Sequence, residues 1–310
     1  MNFHIDSIRS DEYPAIAALI HDSLVNWYES RLGQGARFGD RADPFLIFPE
    51  VYETLDPGEG IVARDAHTGE LLGVCFVHPR ETHHAVGIVA TSSRAGGRGV
   101  ARALMEETLR RAAAARKPTR LVSSLLNLDS YSLYTKLGFV PQTIFQDLLL
   151  TIPPDGLGIP APPNIDSIRP ARPDEAARLA DFEASLQSLR REQDYRFFLE
   201  NAVGNWKVWV SEAADGSIKG VLVVSLNPAM QMLGPGATTD EETALAMVWQ
   251  ALDELRGSTY VLLVPASAST LVSTLYRWGA RNIELHVSQV HGESPAGSGI
   301  VFPTFLPESA

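Results

Sequence analysis

Apolar and polar residues follow two recognisable periods along the first half of the chain. Between Ile16 and Leu24 the apolar residues recur at the spacing of one helix face, whereas the runs at 61–65 and 71–78 are predominantly apolar, as strands are. The predicted elements are, in chain order, a strand at 3–9, a helix opening at Asp11 or Glu12, a helix at 47–55, a hairpin of 60–65 and 71–78, a strand at 86–91, a helix after Gly99, a strand at 121–126, a helix ending at Gly138 and a strand at 142–152.

The second half repeats this order after a break. Residues 153–164 are rich in proline and glycine, which excludes a helix or central strand and predicts a linker. Beyond it the patterns predict helices at 174–189, 241–255 and 267–278 and strands at 206–211, 218–226 and 260–264. Three short sequences recur in the same order, which predicts an internal repeat: 5–9 with 165–169, 67–74 with 214–221, and 133–138 with 275–279. The tail from His291 either packs on the body or hangs free.

The stretch 86–109 combines an apolar strand, a loop of small residues and a helix. Glycines at 92–99 let the backbone approach a ligand closely, and the first N–H groups of a helix have no partner inside it. The helix dipole adds about half a positive charge at that end. This order therefore predicts a site for a ligand that carries phosphate.

Two common phosphate loops do not fit this stretch. A P-loop needs a Lys-Ser/Thr pair after Gly99, where Val100 and Ala101 stand, and a Rossmann loop needs a third glycine where Arg102 stands. The stretch instead resembles the acetyl-CoA loop of the GNAT superfamily of N-acetyltransferases, Gln/Arg-x-x-Gly-x-Gly/Ala followed by an amphipathic helix.

Two registers of this loop fit the sequence. One begins at Arg94, and the other begins at Gly96 and aligns the helix better. We prefer the second, although it places glycine where the family usually has Arg or Gln. Backbone amides are the main donors in such a loop, so this departure weakens the resemblance without removing it.

A second stretch, 127–139, resembles the other GNAT signature, Asn-x-x-Ala/Ser-x-x-Leu-Tyr-x-Lys-Leu-Gly-Phe. It follows the loop at the family's usual interval. Asp129 or Ser130 is placed to cap its helix, and Gly138 to end it. Tyr134 either packs in the core or points at the cofactor sulfur, as the tyrosine at this place does in the family.

The resemblance implies a fold of the α/β (α+β) class: two tandem GNAT-like domains, each a mixed central sheet flanked by helices. The divisions are an acetyl-CoA-binding catalytic domain at 1–152, the linker at 153–164 and a GNAT-like domain at 165–310. In the second domain Asp240, Glu241 and Glu242 stand at the helix start, where carboxylates would repel a pyrophosphate. The second domain is therefore expected to be a degenerate copy that binds no acetyl-CoA.

The resemblance also implies the site. Acetyl-CoA is the acyl donor, and the residues expected to bind it are Val89, Ala90, Thr91, Gly97, Arg98, Gly99, Val100, Ala101, Asn127 and Ser130. Tyr134 is expected to protonate the leaving thiolate. The incoming ammonium must lose a proton, and His83 or Glu81, directly or through water, is expected to accept it. No metal is implied.

Composition narrows the class of protein. The 310 residues carry a net charge of −11 without a basic stretch, which argues against a nucleic-acid partner. Cys75 is the single cysteine and lies in an apolar run, so we expect a buried, unreactive thiol in a reducing compartment. The chain start lacks the features of a signal peptide, and no apolar run approaches the roughly 20 residues of a membrane helix. We expect a cytoplasmic protein without membrane partners; its oligomeric state is left open.

Three functions are compatible with these features. The favoured one is transfer of an acetyl group from acetyl-CoA to a primary amine of a small molecule or peptide by direct attack. The second is a non-catalytic acetyl-CoA-binding sensor or regulatory module, which the glycine at position 96 keeps open. The third is a Fem-like aminoacyl transferase, which the acidic composition and the intact first loop disfavour.

Overall fold

The described chain divides into two compact units. A computed structural model describes residues 2–308. Unit 1 comprises residues 2–79, His84–Thr119 and Phe305–Glu308, and unit 2 comprises Arg80–His83 and Arg120–Thr304. Each unit is therefore assembled from segments that are distant in the sequence.

Unit 1 is built on four antiparallel strands with helices on both faces. Its elements are β1 (Phe3–Ser7), α1 (Tyr13–Leu32), α2 (Ile47–Leu55), β2 (Ile61–Asp65), β3 (Leu71–Pro79), β4 (His84–Thr91) and α3 (Val100–Ala114). The strands lie in the order β1–β2–β3–β4, and each is antiparallel to the next. Every element predicted for this part of the chain forms, and α2 has the predicted bounds.

The side chains of β3 alternate between two helical layers. On one face Cys75 Sγ lies 3.6 Å from the Thr108 hydroxyl of α3. On the other face the ring centroids of Phe76 and Tyr52, the latter in α2, lie 4.5 Å apart. Burial raises the pKa of the Cys75 thiol to about 12. The expectation of a buried, unreactive thiol is therefore confirmed.

A β-bulge interrupts β4. Val77 pairs with Val86 and Cys75 pairs with Val89, so β4 has one residue more than β3 between these pairs. Paired residues share a face, so Val89 lies on the α3 face with Cys75. A Cβ at Gly87 would instead meet Phe76 Cβ at 3.1 Å, on the α2 face. Gly87 and Val89 therefore lie on opposite faces although they are two residues apart, because a period of two holds only in an unbulged strand.

Unit 2 contains the rest of the sheet structure. Its elements are β5 (Thr119–Ser124, from Arg120), α4 (Leu128–Lys136), β6 (Val140–Thr151), β7 (Ile168–Pro170), α5 (Ala176–Gln187), α6 (Glu192–Glu200), β8 (Trp206–Glu212), β9 (Ile218–Ser225), β10 (Met232–Thr238), α7 (Glu241–Glu254), β11 (Thr259–Pro265), α8 (Ser269–Arg277), β12 (Arg281–His291) and β13 (Ile300–Phe302). The strand order is β5–β12–β6–β11–β10–β9–β8–β7, and β13 also pairs with β10. β10 and β11 are parallel, whereas β6 is antiparallel to both neighbours. The predicted mixed α/β class is confirmed. Within residues 2–308 no helix combines the length and apolarity needed to cross a membrane.

β6, from the first half of the sequence, lies between two strands of the second half. It pairs with β11 along one edge and with β12 along the other. Its residues Leu148 and Leu150 are fully buried in a core that includes Leu252 of α7 and Leu271 of α8. β6 therefore precedes the 153–164 linker in sequence but packs in unit 2.

Two regions of the second half differ from the prediction. Residues 232–238, for which no strand is predicted, form the buried strand β10. The pairing register shifts between Leu233 and Gly236, so Pro235 lies at an irregularity, the kind of place where a strand tolerates proline. The strands β12 and β13 and the helix α6 were also not predicted, whereas the three helices and three strands that the patterns predict beyond the linker form close to their predicted bounds.

The C-terminal tail is packed rather than free. β13 pairs antiparallel with β10 in unit 2, where Phe302 is fully buried. Residues Phe305–Glu308 are part of unit 1, where Leu306 is fully buried. Of the two alternatives that the sequence left open, packing on the body is confirmed.

Candidate functional site

Residues 92–99 join β4 to α3 through a compact turn in unit 1. Gly97 and Gly99 have φ angles of +73° and +79°, which favour glycine, and a Cβ at either would meet nothing within 4 Å. The helix begins directly after Gly99, so the N–H groups of Val100 and Ala101 have no acceptor inside it. An open backbone loop thus leads to the positive end of a helix dipole, a geometry that binds anions.

The two arginines of this loop are held by carboxylates of unit 1. Arg94 donates to Glu70 at 2.8 Å, and Arg98 donates to Asp65 at 3.0 Å. The backbone N–H of His67 and the Arg98 guanidinium hold the pKa of Asp65 at about 2. The loop therefore offers an anion mainly backbone N–H groups.

The end of β4 lies immediately before the loop. Val89, Ala90 and Thr91 pair with three consecutive residues of β3, 75, 74 and 73. Ala90 is buried, and the other two are half-buried. Unit 1 thus brings these three residues together with Gly97, Arg98, Gly99, Val100 and Ala101 on one strand–loop–helix segment.

Asn127, Ser130 and Tyr134 lie on or beside α4 in unit 2. Asn127 Oδ1 accepts the backbone N–H of Ser130 at 3.0 Å, so Asn127 caps the helix, and the expectation that Asp129 or Ser130 would do so was wrong. Tyr134 is buried, and its ring centroid lies 5.9 Å from that of Phe139. The helix ends at Lys136, and Gly138 two residues later has the left-handed φ of +91° expected of the glycine that terminates it.

Glu81 and His83 lie in the turn between β3 and β4, not in the strand. Glu81 Oε1 accepts from Arg190 at 2.7 Å and from the N–H of Glu192 at 3.2 Å. His83 is buried, and its Nδ1 lies 3.1 Å from the Thr82 hydroxyl. Both predicted bases are thus embedded in contacts of unit 2, and Glu81 has a cationic partner.

A buried polar cluster, which the sequence analysis did not single out, lies on the α2 face of unit 1. His78 on β3 is 1% exposed, and its Nδ1 lies 2.5 Å from Asp56 Oδ2, just after α2. The Tyr52 ring lies 4.7 Å from the imidazole, centroid to centroid. His78 Nε2 has no hydrogen-bond partner among the described residues.

The C-terminal segment adds a carboxyl group to this cluster. Glu308 is 8% exposed, and its Oε2 has no hydrogen-bond partner among residues 2–308. The Tyr52 hydroxyl donates to the carbonyl of Phe305 at 2.8 Å and interacts with the backbone N–H groups of Glu308 and Ile88. Burial raises the pKa of the Glu308 carboxyl well above its usual range.

Glu308→Gln is expected to stabilise the protein at pH 8 and to have a smaller effect at pH 4. A carboxyl whose folded-state pKa is raised favours folding below its unfolded pKa, and this benefit is lost as the pH rises through the folded pKa. The neutral amide has no such loss. Melting temperatures of wild type and variant from pH 4 to pH 8 measure the difference, and Glu293→Gln, on an exposed loop, is the control. A difference independent of pH would contradict the raised pKa.

A weak sequence signal for this cluster existed. His78 continues the apolar run of β3 two residues after Phe76, on the face where a core residue is expected. A polar residue at such a position needs a partner. The sequence could not name Asp56 or Glu308, which are 22 and 230 residues away.

In the second repeat, carboxylates stand at the strand–helix junction that corresponds to the glycine loop. Only Thr239 and Asp240 separate β10 from α7, and Asp240 Oδ1 accepts the N–H of Thr243 at 2.7 Å. Glu241 Oε2 accepts the N–H of Leu271 at 2.6 Å. Asp240 thus takes an N–H group at the start of α7 that an anion would need, whereas Glu241 takes one at the start of α8. Among the described residues, no group of three or more His, Cys, Asp or Glu is placed to hold a metal ion.

Comparisons with known proteins agree with this geometry. Residues 21–139 match the model of the acetyltransferase (GNAT) family, a segment that contains the glycine loop and Tyr134. No curated protein sequence matches the chain significantly. The GNAT resemblance inferred from the two motifs is therefore confirmed, and members of this family generally bind acyl-CoA and catalyse acyl transfer.

Solved structures share the fold over nearly the whole chain. A putative acetyltransferase from Pyrococcus horikoshii has a TM-score of 0.75 at 12% identity, covering 99% of this chain and 95% of its own. A GCN5-related N-acetyltransferase from Sphaerobacter thermophilus has a TM-score of 0.63 at 17% identity, with 96% and 98% covered. A tandem GNAT protein from the clavulanic acid biosynthesis pathway has a TM-score of 0.61 at 16% identity, with 95% and 99% covered. At these identities the likeness defines the fold and not the substrate.

Proposed function

We propose that this protein is an N-acetyltransferase that moves the acetyl group of acetyl-CoA to a primary amine of a small molecule or peptide by direct attack. The observation that carries the proposal is the strand–glycine loop–helix segment of unit 1, in the part of the chain that matches the GNAT family. The open backbone at Gly97 and Gly99 suits a pyrophosphate, which is the part of acetyl-CoA that needs such a cradle.

Each group of predicted site residues has a role in this reaction. The N–H groups of residues 97–101 hold the pyrophosphate, and the main chain at 89–91 positions the thioester carbonyl. Asn127, which caps α4, and Ser130 support the pantetheine arm, and Tyr134 gives a proton to the leaving thiolate. The sequence predicts His83 or Glu81 as the base, and Glu81 Oε1 already accepts from the Arg190 guanidinium.

We further propose that the functional division of the chain follows the repeat: a catalytic domain at 1–152 and a degenerate copy at 165–310, joined by 153–164. Asp240 and Glu241 support the loss of cofactor binding in the second copy, because Asp240 takes an N–H group at the start of α7 and both carboxylates would repel a pyrophosphate there. One acetyl-CoA per chain follows from this proposal.

Gly99→Glu is expected to weaken acetyl-CoA binding by about 100-fold or more, since it places a carboxylate beside the pyrophosphate. Calorimetric titration of the full chain measures the affinity and the number of sites. Gly257→Glu is the matched control: its φ of +77° is close to that of Gly99, its Cβ would also meet nothing within 4 Å, and it lies in unit 2. Both variants therefore carry the same strain and the same added charge.

The titration separates the outcomes. One site in the wild type and in Gly257→Glu, lost in Gly99→Glu, supports the proposal and justifies screening primary amines for thiol release. Two sites would contradict the degenerate second copy. Binding that survives Gly99→Glu would contradict the loop assignment, and binding without thiol release for any amine would favour a sensor.

A further inference from the structure

The His78–Asp56 pair has the geometry of an oriented base. With Asp56 ionised, the 2.5 Å contact assigns the ring proton to Nδ1, which donates to Asp56 Oδ2. Nε2 then presents its lone pair, and this atom has no partner among the described residues. A base fixed by a second group, with its reactive atom unengaged, is the arrangement that proton transfer requires.

Glu308 brings a second proton acceptor to the same point. A Cβ placed on Gly87 would lie 2.9 Å from His78 Nε2 and 3.4 Å from Glu308 Oε2, so both atoms border one spot above Gly87. Both are unpartnered, and both residues are more than nine-tenths buried. Two buried polar atoms without hydrogen-bond partners lower the stability of the folded protein. Such atoms are kept most readily where they contact a ligand.

The location connects this pair of atoms with the acyl donor. Gly87 lies at the bulge of β4, two residues before Val89, where the proposed thioester site begins. Ile88 and Val89 are only half-buried, so the strand is accessible at the bulge. Bulges next to reaction sites commonly redirect side chains and backbone groups.

We propose that His78, oriented by Asp56, and Glu308, supplied by the C-terminal segment, form the proton-accepting centre of the acyl transfer. This inference rests on the proposed function and replaces His83 and Glu81 as the base. The acceptor that fits is a primary ammonium group, because two anionic or basic atoms surround the point where its nitrogen would lie.

The proton balance explains why two acceptors are present. A bound ammonium group must lose one proton to become a nucleophile, and Glu308 accepts it. The nitrogen then attacks the thioester carbonyl, the C–N bond forms, and His78 Nε2 accepts the second proton. The C–S bond breaks with its electron pair on sulfur, which takes one proton to give the thiol. The other proton leaves to solvent, so the amide, free thiol and one proton balance the ammonium group and the thioester.

The rates of thiol release by the full chain test this centre, with the best amine from the screen. His78→Gln and Glu308→Gln are each expected to lower kcat by about 100-fold and to remove the ionisation that they supply from the pH–rate profile. Acetyl-CoA affinity, measured by calorimetry, should stay within about twofold of the wild type. His67→Gln and Glu293→Gln, at exposed positions, are the matched controls.

Each outcome decides between defined alternatives. No acetyl-CoA binding by the wild type overturns the proposed function itself. Binding and turnover that persist at wild-type rates in both variants overturn only this proton-accepting centre, and the same losses in Glu81→Gln would return the role to the turn. Binding without turnover of any amine overturns both the transfer reaction and the centre. If His78→Gln fails to fold, Glu308→Gln still decides. A purely structural role of Glu308 would leave the ionisation in the pH–rate profile of this variant as it is in the wild type.

Discussion

Arg191→Met is expected to destabilise unit 2 by about 3–5 kcal/mol, the typical loss when one partner of a buried ion pair is removed. Arg191 and Glu183 have side chains that are 1% and 0% exposed, and the guanidinium donates to both carboxylate oxygens, at 2.6 Å and 2.5 Å. The Tyr195 hydroxyl donates to the same carboxylate at 3.0 Å. The variant would leave the Glu183 carboxylate buried and without the two hydrogen bonds that Arg191 donates to it.

Chemical denaturation of Arg191→Met measures this loss. Arg196→Met is the matched control, because Arg196 pairs with Glu192 on the surface of the same region and is 57% exposed. An exposed pair contributes at most about 1 kcal/mol. A loss for Arg191→Met no larger than that of the control would contradict a stabilising role of the buried pair. Replacing Glu183 and Arg191 together by Met should recover much of the loss.

Leu306→Ala is expected to lower the rate of thiol release by about 100-fold, close to the effect of Glu308→Gln. Leu306 is fully buried in unit 1, and truncating such a leucine costs about 2–5 kcal/mol when the surroundings stay in place. A short terminal segment can leave its site without global unfolding, so the substitution destabilises the packing of the segment rather than the whole fold. The segment then detaches and withdraws Glu308 from His78.

Two measurements test this prediction. Melting temperature should fall by only a few degrees, and the backbone amides of 305–308 should lose hydrogen-exchange protection. Leu32→Ala is the control, since Leu32 ends α1 in the same unit and is 38% exposed. Full activity in a Leu306→Ala variant whose tail amides exchange freely would contradict a role for the segment in the reaction.

The two sets of candidate bases differ in what surrounds them. Glu81 lies in an ion pair with Arg190 and accepts a further backbone N–H. His78 and Glu308 each keep an oxygen or nitrogen without a partner in the described chain. Proton transfer needs an available lone pair, so this difference supports His78 and Glu308 over Glu81 as the proposed base.

The sequence by itself determined the local elements and the chemistry of the donor site. The helix at 47–55 formed with its predicted bounds, because its apolar period and its breaks are local. Gly97 and Gly99 were assigned to a phosphate loop from the glycine pattern and the following helix, and both adopt left-handed backbone there. These features depend on a few neighbouring residues, which is why a sequence pattern can reveal them.

Only the tertiary structure decided which distant segments meet. An apolar strand such as β6 fits several neighbours equally well by pattern, so its place between β11 and β12 required the fold. The bulge at Gly87 depends on how β3 and β4 pair, and it places Gly87 and Val89 on opposite faces of the sheet. Glu308 and His78 border the same point at Gly87 only because the tail packs into unit 1, although 230 residues separate them in sequence. Such contacts follow from the packing of whole faces, and no local period encodes them.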